Sequence, residues 1–230
     1  DLIVSVISTQ NHHFRASTIV DIIPIDRKTR DLLTICSQAG WLAMVNRMKL
    51  INRWALMRNT SNENIAEHSH NVAVIAHSLC TIGNKKFGKN YNAERCAVLA
   101  LYHDLTEVIT GDMPTPVKYH NEEIKKVYKD IEKTAGDRLL SMLPDEFKEE
   151  YQSFFEQNEE DKELWKIVKA ADKIDALIKC IEECRMGNKE FETARKRQIK
   201  IVNEIDMDEV KYFKTEFLPA YSLTLDEHTK

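Results

Sequence analysis

The apolar positions along the chain fall into two regimes. Near the start, Ile19-Val-Asp-Ile-Ile-Pro-Ile25 is β-branched and interrupted by Pro24, which suits an extended segment better than a helix. From about Ser37 the period turns helical, with Trp41, Met44, Val45 and Met48 at the i, i+3, i+4 and i+7 spacings of one buried face. This predicts a first helix ending near Ile51 and, after the polar loop Arg58 to Asn64, a second from Ile65 to about Thr81. In that second helix Val72, Val74, Ile75 and Leu79 are expected to face inward, with Gly83 as the stop signal.

Asn92 is placed to cap a third helix, along which Cys96, Leu99, Ala100 and His103 repeat the helical spacing. Gly111-Asp-Met-Pro-Thr-Pro116 must end that run, because Pro114 and Pro116 restrict themselves and the residues before them. Two long helices, at about 121–142 and 160–186, bracket a shorter one near 145–155; a last helix begins near Lys189 and continues past Asp206. The acidic run from Glu159 to Glu163 reads as a solvated helix start. The expected fold class is therefore all-α: one helical domain over 37–230, preceded by an N-terminal extension over 1–36 whose role is unassigned and whose pattern suits a short β arm.

Composition narrows this further. With 43% hydrophobic and 30% charged residues among 230, the chain has the makings of a globular core, and 6 Gly with 5 Pro disfavour a turn-rich all-β fold. A net charge of -4 gives no electrostatic reason to expect DNA or RNA as a partner. No apolar run approaches the roughly 20 residues needed to span a bilayer, and the opening Asp1 to Ser8 lacks the basic start of a signal peptide. These features lead to the expectation of a cytoplasmic protein without membrane contact. The 5 Cys are odd in number and mostly embedded in helical pattern, so reduced thiols are expected rather than a disulfide framework.

Chemistry concentrates in Tyr102-His-Asp-Leu-Thr-Glu107, where an imidazole and a carboxylate are adjacent and a second carboxylate follows one turn later. Such groups beside the apolar run Cys96 to Leu101 are costly to bury unless a cation compensates. His68, in Ala66-Glu-His-Ser-His70, and Asp172, in Val168-Lys-Ala-Ala-Asp-Lys-Ile-Asp175, complete a set of four with His103 and Asp104. Their mixed nitrogen and oxygen donors suit one divalent transition ion such as Co, Mn, Fe, Ni or Zn better than Ca or Mg. Such an ion activates water for attack on phosphorus.

The ordered set His68, His103-Asp104 and Asp172 resembles the H...HD...D signature of the HD-domain phosphohydrolases. Five further segments, Lys49 to Trp54, Met57 to Asn59, Glu67 to Ser69, Tyr102 to Asp104 and Thr110 to Tyr119, resemble the bacterial 5'-deoxynucleotidase (YfbR-like) family over about Gln38 to the C-terminus. The resemblance implies an all-α, homodimeric enzyme that removes phosphate from deoxyribonucleoside 5'-monophosphates with a divalent metal, Co or Mn being favoured. It implies that His68, His103, Asp104 and Asp172 bind the metal, with His68, Asp104 and Asp172 also meeting the substrate. Arg53 would orient the phosphate, Trp54 would stand against the sugar and disfavour a ribose 2'-hydroxyl, and Asp112, Met113, Pro114 and Thr115 would line the nucleotide pocket.

The residue chemistry agrees with those roles. Arg53 offers a planar, permanently charged fork for a phosphate. Glu107, with Arg53 one of two residues expected in the catalytic step, is spaced to position the attacking water or to supply a proton to the leaving 5'-oxygen, and the sequence leaves both roles open. Two other functions compete: a nucleotide-binding sensor without turnover, which would have no need of Glu107, and an HD-type phosphodiesterase or nucleoside-triphosphate hydrolase. A second metal cluster would favour phosphodiester chemistry, and the sequence shows no further His-rich ligand cluster near the first.

Overall fold

The computed structural model describes residues 40–229 except 119 and 157, and the backbone alone of residue 115. The extension over 1–36, with its expected β arm and the domain boundary at 37, lies outside the described residues. Helix α1 (Gly40–Val45) passes directly into a 3-10 turn (Asn46–Leu50), and the irregular stretch that follows leads to α2 (Ile65–Lys86). Next come α3 (Ala93–Tyr102), α4 (Glu107–Thr110), α5 (Thr115–Lys118), α6 (Glu122–Leu140) and α7 (Asp145–Gln152). The chain closes with α8 (Lys162–Arg185), α9 (Glu192–Asn203), α10 (Asp208–Glu216) and a final turn, α11 (Leu225–His228). No strand forms among the described residues, and the expected all-α class stands; one isolated antiparallel bridge joins Asn52 to Asn64.

Polar residues fix where the key helices start. Asn64 accepts from the backbone N–H groups of Ala66 and Glu67, while Glu67 reaches back to the Asn64 N–H, a reciprocal cap that sets the first turn of α2. Asn92 caps α3 through the Arg95 N–H, as its position in the sequence predicts.

Two apolar clusters share α2. Val72, Leu79, Cys96, Leu99, Ile167, Ile174, Val210 and Phe213 belong to the larger, drawn from α2, α3, α8 and α10. Trp41, Met48, Ile65, Leu105, Leu139 and Leu143 form the smaller. Each fully buried Leu or Ile contributes about 1.5–3 kcal/mol. His68 lies on the same stripe of α2 as Ile65 and Val72 and is completely buried.

Several helical expectations need correction. Val74 is 54% exposed, because its position falls off the stripe defined by Val72, Ile75 and Leu79. Gly83 does not stop α2; it lies within the helix, where a Cβ would come 2.7 Å from the Tyr91 ring, so the glycine permits that close approach. The expected last helix breaks over 204–207, giving α9 and α10. Asp161, expected to be solvated, is buried and paired to Arg95 at 2.6 Å. Cys80, Cys96 and Cys180 are buried free thiols, Cys184 is a partly buried one, and among the described residues no helix is long and apolar enough to cross a membrane.

Candidate active site

His103 is the C-cap of α3, so His103 and Glu107 do not share one continuous helix. The chain turns through 103–106 and restarts at Glu107, whose N–H donates to the Asp104 carbonyl at 3.0 Å. Gly111 then ends α4 at φ 74, a left-handed conformation that favours glycine, and carries the chain into Asp112 and Met113.

The three separated segments meet at His68. Its Nε2 lies 3.4 Å from Asp104 Oδ2 and 3.3 Å from Asp172 Oδ1, and the His103 Nε2 lies 3.2 Å from the same Asp104 oxygen. The His68 and His103 rings are 5.2 Å apart between centroids. Each imidazole spends its other nitrogen on an acceptor: His68 Nδ1–H donates to Asp175 Oδ2 at 2.6 Å, and His103 Nδ1–H to the Ala100 carbonyl at 2.7 Å. Those bonds leave both Nε2 atoms as acceptors, and neither has a hydrogen-bond partner.

Four acceptors therefore converge with no proton between them, an arrangement that is repulsive unless a cation lies among them. The ring orientation, set by a carboxylate on one imidazole and a backbone carbonyl on the other, is the kind that supports metal-bound histidines. Ligand atoms of His68, His103 and Asp104 all lie within 4.8 Å of one another, and Asp172 joins the group through His68. The donor set thus fits a divalent cation. Without one, a proton is the substitute: burial and then the Arg53 charge oppose it, yet the Asp104, Asp172 and Asp175 carboxylates raise the His68 pKa well above the usual imidazole value. Burial likewise disfavours the Asp104 anion, but the two histidines outweigh it and hold Asp104 well below the ordinary carboxylate range.

Glu107 is buried, and its Oε2 has no hydrogen-bond partner. Burial, reinforced by the Asp104 and Asp112 charges, pushes its carboxyl up to about 9. Arg53 is the buried cation near these acidic groups. Burial works against its charge, but Glu63, Asp172, Asp104 and Asp175 together raise its pKa, and its buried Nη1 has no hydrogen-bond partner. Arg53, Trp54, Asp112, Met113, Pro114 and Asp172 all line one cavity of about 360 Å³, a volume suited to a small ligand. Its wall does not include His68, which adjoins it through Asp172, or Asp104, which lies behind His68. Thr115 is described only as the first residue of α5.

The cavity also has walls that sequence reasoning missed: Lys173 and Ala176 of α8, Glu190, and Thr193, Ala194, Arg197 and Gln198 of α9. Asp175 was missed as the orienter of His68, although its i, i+3 relation to Asp172 places it on the same helix face. Glu63 carries no periodic signal because it lies in the loop before α2.

Over residues 40–221 the sequence matches the 5'-deoxynucleotidase YfbR-like family. This chain belongs to that family. A 5'-deoxynucleotidase of Vibrio vulnificus (strain YJ016) is 52% identical over 190 residues, covering 83% of this chain and 98% of the relative. The 5'-deoxynucleotidase yfbR of Photorhabdus temperata is 50% identical over 187 residues, covering 81% of this chain and 95% of the relative. An HD-domain phosphohydrolase from Listeria innocua superposes with a TM-score of 0.69 at 25% identity, over 83% of this chain and 92% of that one. The resemblance read from the motifs, to the HD phosphohydrolases and to their YfbR-like branch, is therefore borne out.

Proposed function

We propose that this 5'-deoxynucleotidase hydrolyses deoxyribonucleoside 5'-monophosphates at one divalent metal held by His68, His103, Asp104 and Asp172. The observation that carries the ligand assignment is the pair of partnerless Nε2 atoms facing two carboxylates, each imidazole already fixed through its Nδ1. Two imidazoles favour Co, Mn or a similar transition ion over Ca or Mg. Bound there, the ion supplies Lewis-acid chemistry, activating water and shielding phosphoryl charge.

The chain's own groups do the rest. Arg53, which lines the cavity and whose Nη1 lies 4.0 Å from Asp175 Oδ2 without a hydrogen-bond partner, takes the 5'-phosphate and holds it against the donor cluster. Trp54 stands beside it as the sugar wall, and Asp112, Met113, Pro114 and Thr115 form the nucleotide side. Glu107, whose carboxyl burial and its two acidic neighbours push up, donates its proton to the leaving 5'-oxygen. A buried carboxyl with an unused oxygen favours turnover over a sensor role. The reading extends to a cytoplasmic homodimer with no polymeric nucleic-acid partner.

The test is phosphate release from matched deoxy- and ribonucleoside 5'-monophosphates after chelation and after return of Co, Mn or Mg. Activity on the deoxy substrates should vanish with chelator and return with a transition ion. Undiminished turnover in metal-free protein would defeat the proposal.

A further inference from the structure

The loop between α1 and α2 folds back on itself, and one side chain sits where its two arms meet. Arg53 N–H donates to the Glu63 carbonyl at 2.9 Å, Ile65 N–H donates to the Ile51 carbonyl at 3.0 Å, and the Asn52–Asn64 bridge lies between. That pairing sets Glu63 directly across from Arg53. The Glu63 Oε2 accepts from the Trp54 indole N–H at 3.1 Å and lies 3.6 Å from Arg53 Nε. One oxygen of the buried Glu63 therefore contacts two residues that line the cavity.

Trp54 has particular need of that contact. Its φ of 56 lies in the left-handed region, which a bulky side chain adopts only when its surroundings impose it. The Trp54 carbonyl is held by Met57 N–H at 2.9 Å and by the Asn59 amide at 3.2 Å, which fix the backbone but not the ring. The ring rests against Phe191 with centroids 5.4 Å apart, a contact compatible with several rotations. The indole N–H bond to Glu63 is what selects one of them.

We propose that Glu63 is a positioning residue that sets substrate selection: the oxygen that orients the Arg53 guanidinium also pins the Trp54 indole against the sugar's 2' edge. This rests on the roles assigned above to Arg53 and Trp54. Glu63 itself touches no substrate, and it links phosphate anchoring to sugar discrimination through a single acceptor.

The test compares Glu63→Met, which keeps length but offers only a weakly accepting thioether, with Glu63→Gln, whose amide oxygen still accepts. Both are assayed as metal-loaded enzyme for kcat and KM on dAMP and AMP, beside wild type, Trp54→Phe and Trp54→Ala. Glu63→Met should lower the deoxy-to-ribo ratio of kcat/KM about three- to tenfold, the scale of one hydrogen bond. Glu63→Gln should keep the ratio within about twofold of wild type while KM shifts in parallel for both substrates, because the charge facing Arg53 is gone.

Trp54→Phe, which retains a ring but no N–H, should reproduce the loss, and adding Glu63→Met to it should lower the deoxy-to-ribo ratio no further. A merely destabilised protein would lose both substrates equally, so an unchanged ratio in Glu63→Met overturns the proposal. If that variant does not fold, an unchanged ratio in Trp54→Phe overturns it instead. A wild type without preference for dAMP, or a preference that survives Trp54→Ala, overturns the Trp54 reading and this inference with it. A preference lost in Trp54→Ala but intact in Glu63→Met overturns the role of Glu63 alone.

Discussion

The donor end of the site is anchored by helices, with His68 and Asp172 on α2 and α8 and His103-Asp104 in the tight turn that ends α3, whereas the Arg53–Trp54 end rides on a loop held by a few polar contacts. His68 is fixed by a capped helix start and by burial on the apolar stripe of α2, and Asp172 by the long helix α8. Arg53 and Trp54 have no such frame. Their loop is secured by Glu63 within it and, at its far end, by a buried pair on α8: Lys179 and Glu183, 2.6 Å apart. Helices suit groups whose spacing must not change, since a metal tolerates little error in its donors. A loop suits groups that must meet different substrates, and its geometry then depends on a few polar contacts.

If the comparison is right, the largest losses come from the donor end. His68→Ala or Asp104→Ala should abolish metal binding and reduce dAMP hydrolysis at least about a thousandfold, the range attached to loss of metal-assisted activation. Added Co or Mn should not restore it. Metal content by elemental analysis with kcat on the same samples checks this; a variant that retains both metal and rate would show that the donor cluster is misassigned.

Glu107 feels the charges of both Asp104 and Arg53, and its effect should be next in size. Glu107→Gln should bind metal and nucleotide normally but turn over about a hundredfold more slowly. As a proton donor it is active while protonated, so wild-type kcat should fall as pH rises through its pKa. The value of about 9 is held up by burial and by Asp104 and Asp112. A cation beside Asp104 offsets part of that charge, so the alkaline limb of the loaded enzyme should lie below about 9. Glu107→Gln should flatten that limb. A pH profile of kcat identical in shape for both proteins would remove Glu107 from the chemistry.

The same contrast governs how much could be read from the sequence. That His68, His103, Asp104 and Asp172 come together in space was legible because helical period and an adjacent His-Asp pair leave a mark in one dimension. The all-α class and the cap at Asn92 were legible for the same reason. Val74 was misread because it neighbours inward positions without sharing their face, and the single last helix because nothing in its composition announces the break over 204–207. The loop's restraints left no mark at all. Glu63 meets Arg53 and Trp54 through a backbone bridge, and Glu183 meets Thr60 and Ser61 across more than a hundred residues. Such pairings have no period, so only the fold reveals them. Membership of the YfbR-like family came through motifs that span both kinds of element.

The smallest effect on chemistry should come from the outer clamp, where the cost is in stability instead. Glu183 accepts from Lys179 at 2.6 Å, from the backbone N–H groups of Thr60 at 2.8 Å and Ser61 at 3.2 Å, and from the Asn188 amide at 2.8 Å. Lys179 also donates to the Ser61 carbonyl at 2.6 Å, so the pair grips the loop from both sides. Burial disfavours the Glu183 anion, but these donors outweigh it and lower its pKa from 4.5 to about 2. A depressed carboxyl contributes stability that is present above its unfolded value and lost as pH falls from 4.5 through about 2. Lys179→Met leaves the carboxylate buried without its cation, at a cost of about 3–5 kcal/mol. The melting temperature at neutral pH should then fall by on the order of 6–20 °C. Its acid unfolding should begin at higher pH than in wild type, because Glu183 protonates more readily. Metal content should be unchanged and KM for dAMP should rise only a few fold, since Glu63 still holds the inner end of the loop. Thermal melts of metal-loaded protein across about pH 3–7, paired with KM at neutral pH, decide the matter. A variant that melts like wild type yet loses its metal would place the clamp under the donor cluster instead of the loop, and the division between the two ends would fail.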